Sequence, residues 1–212
     1  MPRRDGRSVR KIPDVTVTVS APATNQTAQG GKTTPGALRA KRSTTISGYP
    51  AIAVQGFPAD SINYALRTAA RRSRIDLVIT GINPGINPGM VLTHSGTIGA
   101  ARAAARKGLP ALATSIGGPH TTNFTAAVKD MTAWVNANRT RLKRGTVLNM
   151  NLPNCAPGGH PRPIVRSITT DGIAPGIDPW AAVDCRQKAP AVRDEFANLQ
   201  RGFATLTRIP LR

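Results

Sequence analysis

The sequence predicts an α/β fold: a parallel sheet flanked by helices, with a β-rich extension after residue 153. Three observations predict it. Short apolar or β-branched runs alternate with helical repeats, the pattern of strand–helix units that build a parallel sheet. Residues 75–80, IDLVIT, form a near-continuous apolar run, as expected of a strand covered on both faces. Past Pro153 the helical patterning gives way to Pro/Gly-rich loops and short β-type runs.

Taken in order, residues 14–19 (DVTVTV) alternate with period two and read as a strand. Residues 20–40 are Gly/Thr/Pro-rich and read as a loop long enough to carry function. Residues 44–54 give one or two short strands around a Gly48-Tyr49-Pro50 turn. A helix follows over 61–72, with Ile62, Ala65, Leu66 and Ala69 on one face and Asp60 as its cap. Strand 75–80 leads through a polar loop to an Ala-rich helix over 95–107, which stops at Gly108 with Pro110 beyond it. Residues 110–116 are the next strand, and 123–144 a long amphipathic helix with Phe124, Val128, Met131, Trp134 and Val135 inward. Strands are expected at 146–152, 163–169 and 203–209, and 171–192 is irregular. The architecture is thus Rossmann-like.

A chain of 212 residues, 40% hydrophobic, supports one substantial core. Aromatics are only 4%, so that core is mostly Ala, Val, Ile and Leu. No run approaches the roughly 18 apolar residues of a membrane helix, and MPRRDGRSVRKIPD lacks the apolar core of a signal peptide. The net charge of +19 favours polyanionic partners such as nucleic acid, nucleotides or an anionic membrane. A merely solvated basic surface explains it equally. Arg3, Arg4, Arg71, Arg72, Arg74, Arg139, Arg141, Lys143 and Arg144 are scattered, with little aromatic interleaving, which argues against a dedicated nucleic-acid groove.

Cys155 and Cys185 sit in no C-x-x-C and have no His at zinc-ligand spacing. They read as one disulfide closing a loop-rich excursion, or as two unrelated buried thiols. The first suits an exported protein, the second a cytoplasmic one. N-x-T triplets at Asn25, Asn123 and Asn138 matter only in a eukaryotic secretory pathway.

The most informative stretch is 75–115. Thr80-Gly81-Ile82-Asn83-Pro84-Gly85-Ile86-Asn87-Pro88-Gly89 repeats a Gly-Ile-Asn-Pro unit. Its glycines permit positive φ and close approach to a ligand, and its asparagines offer oxygens to a cation or donors to a phosphate. An Asn/Gly/Pro turn that merely links strand to helix is the plain alternative. The loop runs about 14 residues, and long connections tend to be functional. It lies beyond the carboxyl end of a strand, where open α/β sheets bind ligands. Ser95-Gly96-Thr97 opens the next helix, and a helix N-terminus attracts anions. Ser95 as a structural N-cap is the default reading. His94 beside it does not make a base–nucleophile pair, and no G-x-S-x-G elbow exists. Thr27 offers a hydroxyl to a metal or to its own loop. His120 and His160 lie in Gly/Pro loops and read as exposed bystanders more than as acid–base groups.

Those residues carry a resemblance. DLVITGINPGIN, then THSGT, then AARAAARKGLPALATS resembles the SurE-type 5′/3′-nucleotidases, whose pattern runs D-L-V-x-S-G-I-N-x-G-x-N, Y-S-G-T and G-L-P-A-I-A-x-S. VTVTVSAP, GFPAD, LNMNLP and GFATLT extend the likeness. It implies a divalent-metal phosphomonoesterase acting on nucleoside monophosphates and assembling as a homodimer or larger oligomer. It implies that Asn83 ligates Mg²⁺ or Mn²⁺, with Thr27 where the family has a metal-binding Ser. Asn87, Ser95, Gly96 and Thr97 would hold the phosphate, with Asn87, Ser95 and Thr97 serving catalysis. Residues 1–153 would be the nucleotidase-like core and 154–212 an extension used in subunit pairing.

One departure stands out. The family opens with a strand ending in N-D-D-G, and this chain has no Asp-Asp pair. Asp5-Gly6 echoes it, but only seven residues separate Gly6 from Asp14, too few for the helix that should follow. The expectation is a chain lacking that first strand and most of its first helix, with its neighbour left as an open edge. Mg²⁺ and Mn²⁺ favour carboxylate oxygens, and Asn83 and Thr27 supply neutral ones. Weak metal binding and impaired hydrolysis follow. A catalytically inactive phosphate- or nucleic-acid-binding homologue is the other reading.

Overall fold

A computed structural model describes residues 8–69, 74–118, 124–169 and 178–211. His120, Asn123, Arg3, Arg4, Asp5, Arg71 and Arg72 lie outside the described residues.

Two sheets form. The smaller joins β1 (Ser20–Pro22), β2 (Arg39–Thr44) and β3 (Pro50–Gln55) in the order β1-β3-β2, with β1 parallel and β2 antiparallel to β3. The larger holds β4 (Val78–Pro84), β5 (Ala111–Ile116), β6 (Val147–Leu152), β7 (Arg162–Ser167) and β8 (Phe203–Ile209), ordered β4-β5-β6-β8-β7. Strands β4, β5 and β6 are mutually parallel; β8 is antiparallel to β6 and parallel to β7. Helices α1 (Pro58–Ala69), α2 (Gly96–Arg106), α3 (Thr125–Asn138) and α4 (Glu195–Gln200) complete the described fold. The α/β reading holds, and the sheet is mixed where β8 runs against β6.

Strand parity divides the large sheet between two cores. Leu112, Met150, Leu152 and Leu206 point to one face and pack with Met131 and Val135 of α3. Ala111, Ala113, Val147 and Ile209 point to the other and meet Ile98, Ala101 and Ala104 of α2. Alanines on both sides of that second interface let helix and sheet approach closely. Further along the same face the side chains turn polar: Ser115, Asn149, Asn151, Thr205 and Thr207, each wholly buried. That polar stripe positions the candidate site.

Several elements depart from expectation. Residues 14–19 do alternate, with Val15, Val17 and Val19 half-buried and Thr16 and Thr18 exposed, yet the ladder begins only at Ser20. The register pairs Ser20 with Ile52, so the partner strand runs out two residues earlier at Pro50, which has no N–H to donate. Val17 is held instead by the Tyr49 hydroxyl, which donates to its carbonyl at 2.7 Å. Strand β2 starts inside the expected loop, at Arg39.

Asp60 sits at the third residue of α1 rather than ahead of it. Its Oδ2 accepts from the Phe57 N–H at 2.9 Å, reaching back as the acidic member of a capping box does. The same oxygen accepts from the Thr34 N–H and hydroxyl, which ties the 20–38 loop to α1. Helix α3 ends at Asn138 and tightens into a 3₁₀ turn over Arg139–Arg141. Helix α4 lies in a tail where no helix was expected. It is six residues long, too short for a periodic signal, and starts because the Asp194 carboxylate caps Ala197 N–H.

Strand β4 is the terminal strand of its sheet, the open edge expected above. It faces a cleft of about 1530 Å³, across which lie residues 15–22. Among the described residues no helix is long and apolar enough to cross a membrane.

Candidate functional site

The Gly-Ile-Asn-Pro repeat begins within β4. Gly81 has φ of 110°, and a Cβ there would fall against the Thr114 carbonyl oxygen of β5. The chain bulges at this point and regains register at Asn83, opposite Ser115. Asn83 Nδ2 donates to the Gly85 carbonyl at 2.6 Å, which leaves its Oδ1 as the atom available to a ligand. Gly85 and Ile86 then donate their N–H groups to Ile116 and Gly117, extending the β5 edge into the loop.

Asn87 lies at the centre of a buried polar network. Its N–H donates to Asn151 Oδ1 at 2.8 Å, and its Nδ2 donates to Ser115 Oγ at 2.6 Å. Its carbonyl accepts from Asn149 Nδ2 at 2.8 Å and from Asn151 Nδ2 at 3.2 Å. Asn151 Nδ2 also donates to Glu195 Oε1 at 2.9 Å, and the Thr205 and Thr207 hydroxyls donate to the same oxygen at 3.4 Å. Burial pushes the Glu195 carboxyl up to about 7, against the lowering effect of those three donors. Among the described residues, its Oε2 and the Asn149 Oδ1 have no hydrogen-bond partner.

Helix α2 follows the Asn87 loop through a turn in which the Val91 N–H donates to the Pro88 carbonyl and the Ser95 N–H to the Val91 carbonyl. Ser95 is its N-cap: the side-chain oxygen accepts the Ile98 N–H at 3.2 Å. The N–H groups of Gly96 and Thr97, in the first turn, have no acceptor within the helix and carry the positive end of its dipole. Thr80 of β4 donates its hydroxyl to the Thr97 carbonyl at 2.8 Å, fixing strand to helix. Gly96 packs against Pro58, whose Cγ would lie 2.9 Å from an added Cβ. His94 is exposed, and its Nδ1 pairs with the Thr93 hydroxyl at 3.1 Å, not with Ser95.

Thr27, Asn83, Asn87, Ser95, Gly96 and Thr97 all line the same cleft. Thr27 is exposed, and its hydroxyl donates to Asn25 Oδ1 at 3.0 Å. His160 is exposed and lies elsewhere, beside Asp130, whose carboxyl is raised by burial. Ser115, Asn149, Asn151 and Glu195 were not singled out from the sequence. The signal was there: an N-x-N alternation inside an apolar strand, and the chain's one glutamate.

Asn83 and Thr27 do not by themselves fit Mg²⁺ or Mn²⁺. Both donors are neutral, and among the described residues no three His, Cys, Asp or Glu side chains converge. Cys155 and Cys185 form a disulfide, with Cα atoms 5.4 Å apart.

Comparisons with known proteins bear on the whole arrangement. Residues 7–169 match the family "Survival protein SurE". The 5′-nucleotidase SurE of Desulfatibacillum aliphaticivorans is 42% identical over 118 residues, which is 55% of this chain and 46% of that protein. The 5′-nucleotidase SurE 1 of Thermus thermophilus is 32% identical over an alignment that takes in 97% of this chain and 84% of that protein. The crystal structure of the SurE protein from Aquifex aeolicus superposes with a TM-score of 0.66, covering 86% of this chain and 77% of that one at 22% identity, a likeness of fold. The match runs through the glycine–asparagine loop, the Ser95 cap and the parallel strands that carry them, so the chain belongs to the survival protein SurE family.

Proposed function

We propose that this chain is a phosphomonoesterase of nucleoside 5′- or 3′-monophosphates, using a divalent cation, Mg²⁺ or Mn²⁺. One observation carries the reading: the loop holding Asn87 is pinned to the sheet by buried hydrogen bonds and lines the same cleft as Ser95, Gly96 and Thr97 at the N-terminal end of α2. The names of its relatives, 5′-nucleotidase and 5′/3′-nucleotidase, support the substrate class. In this reading the Gly96 and Thr97 N–H groups and the Thr97 hydroxyl receive the phosphoryl oxygens. Asn87 orients them, and the helix dipole favours the charge that builds up during hydrolysis. Asn83, with Thr27, lies on the metal side. A bound divalent ion supplies phosphoryl polarisation and a more acidic water.

The test is phosphate release from 5′-AMP and 3′-AMP by the whole chain, with and without Mn²⁺. Release that rises with Mn²⁺ and is lost in Ser95→Ala supports the reading. No release from a folded protein at saturating Mn²⁺ overturns it.

The neutral donor set also favours a second reading, a phosphate- or nucleic-acid-binding protein without turnover. The +19 charge supports such a binder. Its affinity for nucleic acid would fall steeply with salt and would ignore Mn²⁺. In either reading we place residues 154–212 at a homodimer or larger assembly. The disulfide supports an oxidising compartment.

A further inference from the structure

We propose that Glu195 is a positioning residue for the phosphate-holding loop, acting through Asn151 on the backbone of Asn87. The proposal rests on the reading of Asn87 as a phosphate contact.

The connection is short and wholly buried. Glu195 is 1% exposed, and Asn151, Thr205 and Thr207 are 0% exposed. Glu195 Oε1 accepts three donors: Asn151 Nδ2 from β6 and the Thr205 and Thr207 hydroxyls from β8. The Asn151 amide therefore cannot rotate without losing a bond. With Nδ2 turned toward Glu195 and the Asn87 carbonyl, its Oδ1 is presented to the Asn87 N–H at 2.8 Å. An asparagine has two nearly isosteric ends, and the Asn87 N–H and carbonyl select one of them. Glu195 reinforces that orientation with a second, side-chain acceptor for the same Nδ2 and holds it in place. Asn87 in turn holds its side chain to Ser115 at 2.6 Å, so the loop is gripped at its N–H, its carbonyl and its amide.

Cost marks the arrangement as more than packing. A buried carboxyl with an unpartnered oxygen is expensive, and an apolar side chain would fill the space more cheaply. Glu195 begins α4, a six-residue helix whose cap is Asp194 and whose apolar anchors are Phe196 and Leu199. The helix thus has its own cap and its own packing. What Glu195 adds is a directed acceptor aimed at Asn151, from a segment 44 residues further along the chain.

The test compares three variants of the full chain: Glu195→Leu, which keeps bulk and removes the acceptor; Glu195→Gln, which keeps Oε1; and Leu199→Ala, which weakens α4 without touching the network. Two readouts are taken at matched folded fraction. The first is hydrogen exchange at the Asn87 amide, which needs no ligand. The second is affinity for 5′-AMP. Glu195→Leu is expected to speed Asn87 exchange at least about tenfold over neighbouring sheet amides and to weaken 5′-AMP binding about tenfold. Glu195→Gln restores both, and Leu199→Ala leaves both near wild type. Equal effects of Glu195→Leu and Leu199→Ala would overturn the proposal. So would unchanged Asn87 exchange in Glu195→Leu. If Glu195→Leu does not fold, Glu195→Met, similar in length and without the carboxyl, removes the same acceptor from Asn151 and faces the same criteria. A wild-type chain that binds no 5′-AMP refutes the phosphate reading of Asn87, while the exchange data still decide whether Glu195 orders that loop.

Discussion

Asn87 and Asn151 form a reciprocal pair: the Asn87 N–H donates to Asn151 Oδ1 at 2.8 Å, and Asn151 Nδ2 donates back to the Asn87 carbonyl at 3.2 Å. A side-chain amide thereby imitates a strand partner for a loop residue that has no strand beside it. The loop keeps sheet-like order beyond the end of β4, and does so on the cleft that the α2 N-terminus also lines.

Ser95→Ala removes both a cap and a hydroxyl facing the cleft. Loss of the bond to Ile98 N–H is expected to cost about 1 kcal/mol of stability. Phosphate release should vanish, whereas salt-sensitive binding to nucleic acid should barely change. Urea melts, AMP hydrolysis and a salt titration together check this.

Gly81→Ala and Gly108→Ala separate two reasons for glycine. Both have positive φ, 110° and 79°. An added Cβ at Gly108 meets nothing within 4 Å, so its cost is conformational, about 1 kcal/mol. At Gly81 the Cβ would overlap the Thr114 carbonyl and force β4 from β5. The expected loss there is about 3 kcal/mol or more. Denaturant midpoints of the two variants decide it, and equal losses would refute the steric argument.

Glu195 makes stability depend on pH. Its folded-state value is raised to about 7 from 4.5, so the folded state binds the proton more tightly than the unfolded chain. The contribution is therefore fully present below the unfolded value and is lost as pH rises through about 4.5 to 7. The swing is on the order of 3 kcal/mol. Glu195→Gln should flatten that slope. Urea unfolding measured near pH 5 and near pH 8 compares the two proteins directly.

Mn²⁺ should bind this chain weakly, because Asn83 and Thr27 contribute uncharged oxygens. Half-saturation in the range of about 1 mM or above is expected, as for sites poor in carboxylates. Calorimetric titration of Mn²⁺ measures it. Micromolar affinity would mean that a carboxylate joins them.

Replacing Cys155 and Cys185 by Ser opens a loop of 30-residue separation. The expected loss is about 3–4 kcal/mol. Exchange protection should drop first near Gly202, whose Cα is so close to Cys185 that an added Cβ would lie 2.6 Å from the Cys185 Cα. Urea melts and amide exchange of the double variant provide the check.

Much of this protein is written locally. The α2 boundaries, Gly96 to Arg106, follow from the Ser95 cap and the Gly108 stop, and β5, β6 and β8 follow from runs of apolar and β-branched residues. The glycine–asparagine loop was legible because glycine and asparagine state their backbone and hydrogen-bonding options in their own chemistry. The alternation over 14–19 was legible too, but not its pairing, because whether a strand joins a ladder depends on what lies opposite, and β3 begins only at Pro50. Helix α4 escaped notice because six residues hold less than two turns of pattern.

The polar network belongs wholly to the tertiary structure. The N-x-N alternation in an apolar strand and the lone glutamate mark Asn149, Asn151 and Glu195 as candidates, but nothing local to them or to Thr205 says which groups they meet. Strand register sets Asn149 against Thr207 and Asn151 against Thr205, and parity turns all four to the face on which α2 packs further along, where they are wholly buried. Sequence determines which groups can donate and accept. Only the packing of distant segments decides which of them meet, because hydrogen bonds act over about 3 Å while their partners here lie 10 to 64 residues apart in the chain.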